Sequence, residues 1–181
     1  MGLHDLLPRA LRRRDGDDGR EPYALAKLLF RKGDPSGFGK PSATAQVRAS
    51  GGWFGGLVPD MPRDDDIVSE EDLSAYAAAL ARNGFFGPNS YYMNHAANAA
   101  YAATAKNGGR LDLPVLFIAA RYDYTCESVT SRLAAPMREY CRDLTETIVD
   151  GGHWLAQDRP REVNAALVKW LATRVADFWP S

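Results

Sequence analysis

Two runs in the last third of the chain constrain its fold more than any other feature. Residues 114–119 read Pro-Val-Leu-Phe-Ile-Ala, and residues 144–149 read Leu-Thr-Glu-Thr-Ile-Val. The first is apolar throughout, as a strand covered on both faces would be, and the second alternates in strand fashion. Each is followed by a turn and then by a helical pattern. One helix is expected over residues 128–141, interrupted near Pro136. A last helix begins near Pro160 and sets Val163, Ala166, Leu167, Trp170 and Leu171 on one face. The order β-α-β-α implies parallel strands joined by a right-handed crossover.

The rest of the composition narrows the function classes. A chain of 181 residues suits one domain. Lys and Arg total 22 against 23 Asp and Glu, a formal net charge of −1. That balance gives no electrostatic footprint for a nucleic-acid backbone. No run nears the roughly 18 consecutive apolar residues a membrane helix needs. Cys126 and Cys141 are too few for a disulfide scaffold and fit a reducing compartment. Both are expected as small buried apolar side chains. Residues 1–20 carry no readable address, because Pro8 follows Leu6-Leu7 and acids answer the run Arg12-Arg13-Arg14. A cytoplasmic location is the default expectation.

Upstream of the strands the chain reads as helices and one long loop. A short helix is expected over residues 21–32, with Tyr23, Leu25, Leu28 and Leu29 apolar and Gly33 as its stop. Residues 33–62 are rich in Gly and Pro and read as a loop. Its Trp53 and Phe54 favour a loop lying on something over a free linker. Ser69 looks like an N-cap, with Glu70, Glu71 and Asp72 in the first turn. Leu73, Tyr76 and Leu80 follow at helical spacing, and Gly84 ends the run. An Ala-rich helix is expected over residues 89–106, carrying Tyr91, Tyr92 and Tyr101 and stopped by Gly108-Gly109.

The chemistry-bearing residues lie just past the two strands. Strand one is followed by Arg121-Tyr122-Asp123-Tyr124, and strand two by Gly151-Gly152-His153-Trp154. In a parallel sheet both turns lie at the same edge, where open α/β sheets place their crevices. Neighbouring strands are about 4.8 Å apart, so Asp123 and His153 can meet. A carboxylate on imidazole Nδ1–H fixes the tautomer and leaves Nε2 as a general base. Singly, each residue also reads as an ordinary turn aspartate or a histidine satisfied by backbone. In this order, both after strands, they favour a catalytic pair. No Gly-x-Ser-x-Gly elbow stands between a strand and a helix. Residues 33–40 resemble a phosphate-binding loop only in outline. Cys126, Cys141 and His153 have no usual zinc spacing, so neither metal nor cofactor is expected.

These residues sit within a wider resemblance. Residues from about 23 to 179 resemble the C-terminal half of fungal epoxide hydrolases of the α/β-hydrolase fold. The likeness is dense over Phe85-Phe86-Gly87-Pro88-Asn89-Ser90-Tyr91-Tyr92-Met93-Asn94, Asp112-Leu113-Pro114-Val115-Leu116-Phe117 and Tyr122-Asp123-Tyr124-Thr125-Cys126. It continues through Gly152-His153-Trp154 and Val163-Asn164-Ala165-Ala166-Leu167, and Arg31-Lys32-Gly33-Asp34-Pro35 and Gly51-Gly52-Trp53-Phe54-Gly55-Gly56 resemble the lid of that group. The resemblance implies a partial α/β-hydrolase fold: a helical lid segment followed by a C-terminal β-α-β-α unit with parallel strands. It divides the chain into an atypical segment 1–20, a lid segment 21–110 and the end of the core at 111–181. It makes Asp123 the acid, His153 the water-activating base and Tyr92 a lid tyrosine donating to the epoxide oxygen. Tyr91 stands where the family often has Trp. Taken alone, Tyr91, Tyr92 and Tyr101 also read as a helix face packed on the core.

Two family motifs are not found in this sequence: the His-Gly-x-Pro of the oxyanion hole and the Asp-bearing elbow. The expectation is therefore epoxide hydrolase kinship, a small apolar epoxide and water as reactants, and no activity of this chain by itself. The alternatives are a non-catalytic truncated relative that binds a ligand or partner, and another hydrolase of esterase or dehalogenase type. An apolar strand lacking its inner neighbours would expose an edge. Marginal stability or self-association through that edge is expected.

Overall fold

The computed structural model describes residues 20–40, 47, 49–50 and 58–175. Trp53, Phe54 and the segment before residue 20 lie outside the described residues. The chain separates into two compact units, one of residues 1–31 and 43–98, the other of residues 32–42 and 99–181.

The first unit is helical. Helix α1 (Arg20–Leu29) and helix α2 (Glu70–Asn83) pack together. Ser69 caps α2 as its sequence foretells, its hydroxyl accepting the Asp72 amide at 3.1 Å. Three acids in the first turn of α2 complement its dipole. Gly84, at φ 68°, supplies the left-handed residue that ends it. Leu73 is fully buried and forms the core with Ala26 and Val68, while Tyr23 and Phe30 cover them. Tyr76 lies in α2 as its spacing predicts, exposed and stacking on Phe30 with ring centroids 4.8 Å apart.

The helix expected over residues 89–106 is instead a series of short pieces. Helix α3 (Phe86–Ser90), a 3-10 turn (Tyr91–Met93) and helix α4 (His95–Ala102) follow one another, and a second 3-10 turn spans Lys106–Gly109. The break falls at Asn94, whose backbone leaves the helical region at φ −98° and ψ 21°. Local side chains compete for the backbone there: Ser90 Oγ donates to the Gly87 carbonyl, and Asn94 Nδ2 to that of Ser90. Tyr91 and Tyr101 are exposed, so the reading of these rings as a core-packed face fails for both.

The second unit carries the expected parallel pair. Strand β1 (Leu111–Ala120) pairs with strand β2 (Cys141–Val149), in a register that places Val115 opposite Leu144 and Ala120 opposite Val149. Helix α5 (Ala135–Tyr140) connects them, and the short α6 (Leu155–Asp158) leads into α7 (Pro160–Arg174), which packs on both strands. The crossover helix is shorter than expected. Residues 128–134 are turns, held by the Glu127 carboxylate, which accepts the amides of Val129, Thr130 and Ser131 at 2.7–2.8 Å. Pro136 lies in the first turn of α5 and so starts that helix, where its missing N–H costs nothing.

Coverage of β1 also differs from its sequence reading. Residues 114–118 are half-buried, and only Ala119 and Ala120 at its end are buried. Leu111 and Leu113 are exposed. On α7, Val163, Ala166, Trp170 and Leu171 are half-buried as expected, while Leu167 is exposed. Both cysteines are less buried than expected, Cys126 exposed and Cys141 intermediate.

Truncating the best-buried side chain tests the helical core. Leu73→Ala is expected to destabilise the first unit by about 2–5 kcal/mol, read as a lower urea midpoint in far-UV circular dichroism.

Candidate functional site

The site is built where the two strands end. Ladder pairing does not stop at Ala120 and Val149. The Arg121 amide donates to the Val149 carbonyl, and the Tyr122 amide donates to that of Gly151, both at 2.9 Å. Arg121 and Asp150 add an ion pair at 2.5 Å across the same two turns. The turns are thus held side by side, and the next residues of each bear the carboxylate and the imidazole.

Asp123 and His153 meet as the sequence predicts, with Asp123 Oδ2 3.0 Å from His153 Nδ1. The other carboxylate oxygen accepts the amides of Thr125 and Cys126 at 2.9 and 2.8 Å, which fixes its direction. The side chain of Asp123 is 13% exposed and that of His153 41%. Burial pushes the Asp123 carboxyl up, but the bonds from His153 and from the Cys126 and Thr125 amides outweigh it and hold it below its ordinary value. The bond to Asp123 raises the His153 imidazole above its ordinary value, against the pull of burial. The indole of Trp154 meets the imidazole edge-on, with ring centroids 5.2 Å apart.

A buried carboxylate that sequence reasoning missed supports the histidine turn. Asp158, at the end of α6, accepts the Gly152 amide at 2.7 Å and the Gly33 amide at 3.0 Å. Its side chain is 2% exposed and is paired with Arg159. Here the glycines are required by space. A Cβ on Gly152 would lie 2.6 Å from the Gly33 nitrogen, and one on Gly33 would lie 2.5 Å from the Gly152 nitrogen. The segment 32–40 therefore lies directly against the histidine turn. Tyr124 adds a second tie to it by donating its hydroxyl to the Asp34 carbonyl. Phe38 packs edge-on to Tyr122 at 6.5 Å.

Tyr92, the other sequence-predicted site residue, falls in the 3-10 turn Tyr91–Met93 of the first unit. Its side chain lies outside the described part of the molecule. One further grouping appears only in three dimensions. A carboxylate oxygen of Asp123, Cys126 Sγ and a ring nitrogen of His153 lie within 4.8 Å of one another. Sequence spacing could not find it, because Cys126 and His153 come from turns after different strands.

No family profile matches the sequence. The chain is 31% identical to the bifunctional epoxide hydrolase 2 of Sus scrofa over 131 residues, which cover 72% of this chain and 23% of that protein. It is 33% identical to epoxide hydrolase A of Mycobacterium tuberculosis over 138 residues, covering 74% of this chain and 41% of that one. Among solved structures, an epoxide hydrolase mutant from Vigna radiata superposes with a TM-score of 0.58 at 23% identity, over 88% of this chain and 51% of that one. The chain thus spans less than half the length of the curated relatives it matches. It is homologous to epoxide hydrolases, and its architecture is part of an α/β-hydrolase fold.

Two outcomes follow from the geometry. A raised imidazole contributes stability that is full below 6.5, its ordinary value, and lost as pH climbs through the folded value. A depressed carboxyl contributes stability present above its ordinary 3.8 and lost as pH falls through the folded value. The pair is held best between those limits. Asp123→Asn should lower the His153 titration midpoint in an NMR pH series; an unchanged midpoint would mean the two do not interact. Gly152→Ala should destabilise the second unit by about 1–3 kcal/mol and shift the His153 resonances.

Proposed function

We propose that this chain supplies the water-activating half of an epoxide hydrolase, and that it turns over no epoxide by itself. The observation that carries the reading is the Asp123–His153 pair, bonded through Nδ1 at the shared rim of two parallel strands. With Nδ1 engaged by the carboxylate, Nε2 is the nitrogen left to take a proton. In the reaction of such enzymes an aspartate opens the epoxide and becomes an ester of the product alcohol. His153 then removes a proton from water as its oxygen attacks the ester carbonyl. The ester C–O bond breaks, and the departing alkoxide takes the proton of the new carboxyl group and leaves as the diol, with the aspartate restored. The imidazolium returns its proton to the lid phenolate that had protonated the epoxide oxygen, which frees the base. Asp123 steadies the imidazolium between these steps.

Tyr92 takes the role of donor to the epoxide oxygen, supported by its place in the motif Phe85 to Asn94. A phenol is neutral near pH 7 and can hydrogen-bond a developing alkoxide. Residues 21–110 serve as lid segment and residues 111–181 as the end of the hydrolase core, with residues 1–20 an atypical leading segment. The sequence given contains neither the aspartate elbow nor the His-Gly-x-Pro motif. For that reason the ester-forming step is assigned to groups beyond this chain. The exposed Leu111 and Leu113 of β1 support association through the sheet edge. The two unpaired cysteines support a reducing, cytoplasmic setting. Among the described residues, no helix is long and apolar enough to cross a membrane.

Complementation tests this reading. The chain is assayed for diol from a styrene oxide-type epoxide, alone and joined to the upstream half of the mycobacterial relative. No diol is expected alone, and diol is expected from the joined form, falling at least about 100-fold with His153→Ala. Diol formation indifferent to His153 would overturn the assignment. Ester turnover without diol would favour an esterase-type relative instead.

A further inference from the structure

We propose that Asp123, Cys126 and His153 form a binding site for a thiophilic divalent cation of the zinc and cadmium class. Their three donor atoms, an oxygen, a sulfur and a nitrogen, lie within 4.8 Å of one another. In a tetrahedral zinc site, bond lengths of about 2.0–2.3 Å place neighbouring donors roughly 3.3–3.8 Å apart. The cluster therefore needs to contract by about one ångström. Cys126 is exposed, at the surface of the molecule.

Local structure holds the trio together. Asp123 Oδ1 accepts the Cys126 amide at 2.8 Å, so the loop is folded back onto the carboxylate and Cys126 is kept beside it. His153 arrives from the neighbouring turn, fastened by the Tyr122–Gly151 bond. The donor set also suits the ion. Thiolate and imidazole select zinc-like metals over magnesium or calcium, and three protein ligands leave a fourth position for water. On binding, the Cys126 thiol gives its proton to solvent, and Asp123 and His153 exchange their mutual hydrogen bond for bonds to the metal: the ionised carboxylate offers a lone pair, and the Nδ1 proton passes through solvent to Nε2 so that Nδ1 offers its own. No redox change is involved.

The consequence for activity rests on the role proposed above for His153. A metal on the imidazole occupies the machinery that must receive a proton from water. Cations of this class would then switch off ester hydrolysis reversibly, and a chelator would restore it.

Binding can be tested without any activity assay. The full chain is titrated with Cd2+ while the ultraviolet thiolate-to-metal charge-transfer band is followed. The band should rise and saturate at about one metal per chain. It should vanish in Cys126→Ala, persist in Cys141→Ala, and need at least about tenfold more Cd2+ in His153→Ala. Circular dichroism confirms that each variant is folded; Cys126→Ser substitutes if the alanine variant is not. Absence of the band in the folded chain would overturn the proposal. So would its loss in Cys141→Ala, or saturation at one metal per two chains with no dependence on His153. Failure of the diol assay would leave these results untouched, so the two readings are separable.

Discussion

Parallel pairing of β1 with β2, continued past the strand ends by the Tyr122 amide on the Gly151 carbonyl, is the constraint on which the site depends. A hairpin would put the two following turns at opposite ends. A parallel pair puts them at one rim, with Ala120 opposite Val149 and the turns in step. Asp123 and His153, thirty positions apart in sequence, are thereby brought within a hydrogen bond. The interior end of β1, Ala119 and Ala120, is its buried end, so the rim rests on the best-packed part of the strand.

Backbone contacts then set the finer geometry. Asp158 draws the Gly152 and Gly33 amides onto one buried oxygen. The close approach of Gly33 and Gly152 leaves no room for a side chain on either residue. This fixes the turn that presents His153 and fastens the segment 32–40 against it. On the other side, the amides of Thr125 and Cys126 orient the Asp123 carboxylate. Charge, direction and burial of the pair follow from these neighbours rather than from the pair alone.

The sequence was most legible where one kind of physics dominates. The apolar run of β1 and the alternation of β2 specify strands. The serine and acids before Leu73 specify a helix start, which the structure shows with Ser69 as cap. Legibility failed where distant or competing contacts decide. The Ala-rich stretch has helical propensity throughout, yet Asn94 and Ser90 divert backbone bonds and break it. Pro136 reads as an interruption but begins its helix. Composition made β1 a doubly covered strand, whereas only its final residues are buried. Nothing local marks Asp158 as special, since its partner Gly33 is 125 positions away. The cluster with Cys126 is hidden for the same reason, because it spans two turns.

The chain that emerges is a helical unit and a unit with a two-stranded parallel sheet, its architecture part of an α/β-hydrolase fold and its sequence homologous to epoxide hydrolases. Its most direct test is the protonation state of a single ring in the intact chain. Nitrogen-15 NMR of His153 above its titration midpoint should show the Nδ1–H tautomer, with Nε2 unprotonated, as a hydrogen bond to Asp123 demands. An Nε2–H tautomer, or an imidazole averaging freely between the two, would contradict the pairing at the strand rim.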